Sequence, residues 1–155
     1  MQRQPCFVRF VLSETAYAGI QCDQPIMRPL VSVVSPEFPK RGETCGALIG
    51  ALMALGIARG RSSMPDNQSY TRAMDDAQTI IDAFKAGIEQ HYQVSEPLRN
   101  TLCPSVQEKV FGRSFSFLDP ADRTAFFDSG GYSPNGCPTV CAIAAASGAR
   151  KILES

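Results

Sequence analysis

The sequence predicts an all-α protein, a small single-domain bundle of about five to seven helices. Residues 69–92 set Tyr70, Met74, Ala77, Ile81, Phe84, Ile88 and Tyr92 on one stripe with helical spacing. Residues 44–60 and 138–153 are long apolar or alanine-rich stretches. No segment carries the sustained alternation of a strand.

A chain of 155 residues, 44% hydrophobic and 19% charged, suits one core. Within that single domain, 1–155, residues 1–41 are the less defined part and 42–155 the cysteine-bearing core. Residues 6–20 and 22–34 have helix-forming composition, but Pro25, Pro29, Pro36 and Pro39 break up the second half of this region. Lys40-Arg41-Gly42 closes it. The next stretch, TCGALIGALMALGIARG, is apolar nearly all round and predicts a buried helix, with Thr44 as N-cap and Cys45 in the first turn. Gly46, Gly50 and Ala54 recur every fourth residue. A helical glycine costs up to about 1 kcal/mol against alanine, so a close approach, by another backbone or by a bound group, is expected there. The plainer alternative is a helix crossing without chemistry.

A polar loop, 61–68, precedes the amphipathic helix 69–92, for which Ser69 is the expected N-cap. Asp75, Asp76, Asp82, Lys85 and Glu89 form its wet face. His91, the single histidine, reads as solvated or packed rather than as a ligand. A helix from Pro104 to Phe111, a loop over 112–118, a short helix from Asp119-Pro120, the turn-rich 129–136 and a last helix from Pro138 to about Leu153 complete the chain.

Lysine plus arginine equals aspartate plus glutamate at 15 each, which leaves no electrostatic footprint for nucleic acid or an acidic membrane. The longest apolar run, residues 45–58, is shorter than the roughly 20 residues a bilayer needs. Arg9 and Glu14 interrupt the apolar N-terminus, so export is not expected and a cytoplasmic, reducing setting is. In that setting the six cysteines, Cys6, Cys22, Cys45, Cys103, Cys137 and Cys141, read as catalytic or metal-binding rather than as structural disulfides. Any one of them alone could equally be a small core residue.

Three share a local grammar. Proline follows Cys103 and Cys137, and proline favours the first helical turn. Together with Cys45 they are expected at helix starts, where unpaired N–H groups and the macrodipole favour a thiolate. If the starts converge, they form a redox or metal site. Cys137 and Cys141, four apart, can face one side, which permits co-ligation or a disulfide. No Cys-x-x-Cys pair supports a zinc ribbon or a ferredoxin, and no haem-attachment motif occurs. Ser114, His91 and the carboxylates form no triad. Arg59, Arg61 and Arg113 read as solvated arginines before they read as charge beside a thiolate pocket.

The stretch GETCGALIGALMALG carries Cys45-Gly46-Ala47-x-x-Gly50 and resembles the CGAxxG motif of the C_GCAxxG_C_C family, whose members are proposed to be redox-active. LCPSVQEKVFGRSF is similar to its third cysteine region and GCPTVCAIAAASGARKILE to its terminal cysteine helix. The resemblance implies a small helical protein with four characteristic cysteines, and Cys6, with Cys22 as runner-up, matches the first. The approach VSPEFPKRG has prolines where the family has glycines, and Cys22 and Cys141 look like additions.

Three functions follow as expectations. In the first, Cys6, Cys45, Cys103 and Cys137 hold an iron–sulfur cluster or another thiolate-bound metal for electron transfer or redox sensing, with Gly46 and Gly50 approaching the cofactor. In the second, Cys45 is the nucleophile of a metal-free dithiol, resolved by Cys103 or Cys137. The third is structural zinc or an accessory subunit of a redox complex. A redox partner protein and a homodimer are the partners expected.

Overall fold

The computed structural model describes residues 42–154. Five helices are described, α1 (Gly46–Arg59), α2 (Asn67–Tyr92), α3 (Cys103–Phe111), α4 (Pro120–Asp128) and α5 (Cys137–Leu153), and all but α4 contribute to one hydrophobic core. The helical class read from the sequence is the observed one. No strand occurs among the described residues, and extended pairing is confined to one antiparallel bridge, Thr44–Leu102.

Close contacts establish which way the helices run. A Cβ on Gly148 of α5 would lie 3.2 Å from Ala51 Cβ of α1. Further along both helices, Arg59 donates to the carbonyls of Ile152 and Glu154. The two helices therefore run parallel, in tight contact through small residues. α2 runs against them. Gly87 faces Ile143 so closely that a Cβ would meet its Cγ2 at 2.6 Å. Lys151 pairs with Asp76 at 3.2 Å, and Tyr92 reaches the loop just before α5. Ile80, Phe84 and Ile88 of α2, all 0% exposed, fill the space between the helices with Leu48, Leu55, Leu98 and Val140.

The buried stripe of α2 is rotated from the predicted one. Ala73, Ile80, Phe84 and Ile88 are buried, whereas Tyr70 and Met74 are 46% and 48% exposed. In these first turns Ala73 faces inward, while the Tyr70 ring is covered by the Arg61 guanidinium rather than by the core. Its N-cap is Asp66, whose carboxylate accepts the N–H of Ser69 at 3.0 Å, in place of the predicted Ser69 itself. Asp119 caps α4 through Ala121 N–H, at the predicted place.

A second apolar group gathers on Phe126, which meets Phe111, Phe115, Phe117, Phe127 and Tyr132 edge-on. The buried Gln107 carboxamide accepts Phe115 N–H at 2.9 Å and joins α3 to this group.

Candidate functional site

The N-terminal ends of α1, α3 and α5 meet at one end of the bundle, and each carries a cysteine. The Thr44–Leu102 bridge joins the first two. Cys45 N–H donates to Thr101 O and Cys103 N–H to Glu43 O, both at 2.8 Å. Side chains alternate along extended backbone, so the residues flanking the bridged pair, Cys45 and Cys103, share the opposite face. Diagonal neighbours of this kind have typical Cα separations of about 7–8 Å, wider than the upper limit of about 6.8 Å for a disulfide. Gly42, at φ +76°, turns the chain into the bridge.

The loop 129–136 delivers the third cysteine. Cys137 N–H donates to Gly131 O at 2.9 Å. Gly136 packs on this loop so closely that a Cβ would lie 2.5 Å from Gly130 O. The Tyr92 hydroxyl donates to Asn135 O at 3.0 Å and Gly136 O at 3.3 Å, fastening the loop to the C-terminal end of α2. Cys137 and Cys103 are both the first residues of their helices, each followed by proline as the sequence predicts. Cys45 is itself the N-cap of α1, one position earlier than expected, because Thr44 is held in the bridge.

The parallel register of α1 and α5 adds Cys141 to this end. Cys45 lies six residues before Ala51, and Cys141 lies seven before its neighbour Gly148, so the two stand at the same height. The four described cysteines are free thiols; Cys45 is 7% exposed, Cys103 and Cys137 are half-buried, and Cys141 is exposed.

Electrostatics agree with the convergence. Burial pushes the Cys103 thiol up to about 12, with the charge of Cys45 as second cause. Burial likewise takes Cys137 to about 12, followed by the charges of Cys45, Cys103 and Cys141. The Cys141 sulfur faces inward enough that burial, then Cys45, raises it to about 11, although the residue is exposed to solvent. Cys45 is raised by burial too, against the N–H groups of Ala47 and Leu48, which favour its thiolate without making a cap hydrogen bond. Burial also lifts the Tyr92 phenol to about 12, and the charge of Cys137 adds to it.

These directions correct the expectation of thiolates stabilised by helix starts. Desolvation leads because Cys45 is buried in the core and the sulfurs of Cys103, Cys137 and Cys141 are shielded beside it. At Gly50 a Cβ would meet nothing within 4 Å among the described residues. The close crossings lie at Gly148 on Ala51 and Gly87 on Ile143. His91 is exposed and touches the Tyr92 ring edge-on. Arg59 sits at the far end between Asp76 and the last carbonyls, while Arg61 covers Tyr70 and Arg113 covers Phe115. Cys6 and Cys22 lie outside the described residues. Among the described residues, no group of three His, Cys, Asp or Glu side chains is spaced to hold a metal ion. No helix there is long and apolar enough to cross a membrane.

Two features of the site were not anticipated. The Thr44–Leu102 bridge leaves no periodic signal in the sequence, being one residue wide. The Tyr92 hydroxyl anchor was hidden because Tyr92 also completes the apolar stripe of α2.

Fold and site define a small all-α protein with a group of partly shielded thiols brought together from three helix starts. The chain belongs to the C_GCAxxG_C_C family, described as "Putative redox-active protein", whose profile matches residues 11–150. No curated protein and no solved structure matches the chain.

Proposed function

We propose that this protein carries electrons through an iron–sulfur cluster held by the thiolates of Cys45, Cys103 and Cys137 with a fourth from Cys6 or Cys22, of which Cys22 lies within the matched residues 11–150. The observation that carries this reading is the meeting of three cysteines from three helix starts, close enough to feel one another's charge. The diagonal placement of Cys45 and Cys103 suits a group seated between them better than a direct sulfur–sulfur bond. A single ion is less well supported, since the described residues offer no three-ligand grouping. That also weighs against structural zinc. A cluster tolerates wider sulfur spacing because its irons and sulfides occupy the middle, and it takes four thiolates. The family's redox description agrees with this use.

When bound, the cluster supplies one-electron chemistry. The chain's own residues supply the setting. Burial keeps water from Cys45, and the Ala47 and Leu48 N–H groups favour negative charge on its sulfur. Burial favours the protonated thiols, so occupying the site releases protons and uptake is tighter at higher pH.

The test is anaerobic preparation of the full chain with iron and sulfide reconstitution. Iron, acid-labile sulfide and visible sulfur-to-iron absorption are expected, lost in Cys45→Ser and Cys103→Ser, and their loss in either Cys6→Ser or Cys22→Ser identifies the fourth ligand. A colourless, iron-free protein with full helicity overturns the reading. Cys141, exposed as a residue with its sulfur turned inward near the buried Cys45, favours a second reading, a metal-free dithiol. It requires an intramolecular disulfide that forms reversibly in iron-free protein.

A further inference from the structure

Cys141 lies outside the proposed ligand set, and it is the described cysteine whose residue is exposed at this end of the bundle, while its sulfur faces inward within reach of the charge of Cys45. It stands one helical turn after Cys137 and level with Cys45 across the α1–α5 contact. Cys45 is 7% exposed and free, so it is unreachable by a bulky reagent from solvent. The two helices approach through Ala51 and Gly148, which brings these levels close. Within α5, Cys137 and Cys141 have Cβ atoms about 5–6 Å apart, against about 3.5–4.5 Å for a disulfide. The intact helix therefore disfavours their direct bond and leaves Cys45 as the partner for Cys141.

We propose that Cys141 is a thiol-modification site: it captures low-molecular-weight disulfides and passes the oxidation to Cys45, which withdraws Cys45 from the redox centre. In the first step Cys141 releases its proton to water, and its sulfur attacks one sulfur of the small disulfide. A mixed disulfide forms, the old S–S bond breaks, and the first small thiol leaves with a proton from water. In the second step Cys45 gives up its proton, its sulfur attacks Cys141 Sγ, and the second small thiol leaves. The protein loses two protons and two electrons and gains the Cys45–Cys141 bond, while the small disulfide is reduced to two thiols. A site whose Cys45 is engaged by a bound group stops at the mixed disulfide.

The experiment treats the full chain, made metal-free with chelator under anaerobic conditions, with oxidised glutathione. Acid-quenched samples are mapped by peptide mass spectrometry. Wild type is expected to yield the Cys45–Cys141 cross-link. Cys45→Ser is expected to accumulate glutathione on Cys141. Cys141→Ser and Cys141→Ala, checked for helicity, are expected to slow oxidation of Cys45 at least about tenfold. Oxidation of Cys45 at the wild-type rate in both Cys141 variants overturns the proposal, as does a cross-link that omits Cys141. Because iron is absent throughout, these outcomes are independent of whether the cluster reading stands.

Discussion

Alkylation across pH tests the balance between burial and helix dipoles at the cysteine end. Cys103 and Cys137 are raised from an ordinary 9.0 to about 12. Three units leave about a thousandfold fewer thiolates at neutral pH than an ordinary cysteine has. A more basic thiolate is a better nucleophile, with a Brønsted slope of about 0.4–0.5, which returns roughly 1.2–1.5 decades. The net expectation is iodoacetamide alkylation roughly 30–60-fold slower than a free thiol, before any shielding of the sulfurs. Rates measured residue by residue in metal-free protein should climb about tenfold per pH unit, with no plateau before about pH 11. The raised folded-state values also set a stability window. The neutral thiols contribute stability that is complete below about 9 and lost as pH climbs through the folded values near 12. Thermal unfolding should therefore occur at progressively lower temperature above pH 9. A plateau below about pH 8.5 at Cys103 or Cys137 would mean that the helix starts outweigh burial, and the assignment of these sulfurs to the packed core would fail.

Two further expectations concern the frame that holds the site. Phe84→Ala removes a ring with 0% exposure from the middle of α2 and should cost about 3–5 kcal/mol, lowering the urea midpoint by about 1–3 M; an unchanged midpoint would contradict the packing described. Asp76 is partly shielded, which opposes its charge, but Arg59 and Lys151 prevail and hold its carboxyl below the ordinary 3.8. The stability it contributes is present above that value and lost as pH falls through the lower folded one. Asp76→Asn should cost about 1 kcal/mol near neutrality, roughly 2–4 °C, and the gap from wild type should close toward about pH 2 in calorimetric scans.

How far the sequence could be read depended on whether each signal was local. The helix starts at Cys103 and Cys137 were legible because proline after the cysteine is a constraint on the backbone itself. The long helix was legible through its period, yet its buried face was misplaced at Tyr70 and Met74, since burial depends on where a neighbour ends. The sign of the thiol shifts was misread for a related reason. A dipole can be inferred from a helix start alone, whereas desolvation depends on what α2 and α5 pile onto it. Among the described residues the close crossings lie at Gly148 and Gly87 and none lies at Gly50. Spacing within one helix cannot tell which small residue faces the partner. Cys141 joined the site only through the parallel register of α1 and α5, a non-local fact.

That register would leave Cys103 unplaced without the bridge, and Gly42 is where the bridge can be broken selectively. Its φ of +76° costs an alanine about 1–2 kcal/mol. A Cβ would also lie 2.9 Å from Pro104 Cγ and 3.4 Å from its Cδ, in a ring that is pinned at the start of α3. Gly112 has the same φ of +76° with nothing within 4 Å of the added Cβ, so Gly112→Ala carries the backbone cost without the clash. Both variants should lose global stability, Gly42→Ala the more. What separates them is local: the amide hydrogens of Cys45 and Cys103, donated to Thr101 O and Glu43 O, should exchange at least about tenfold faster in Gly42→Ala than in Gly112→Ala, after correction for global unfolding. Equal protection of both amides in the two variants would show that Cys45 and Cys103 hold their places without the bridge.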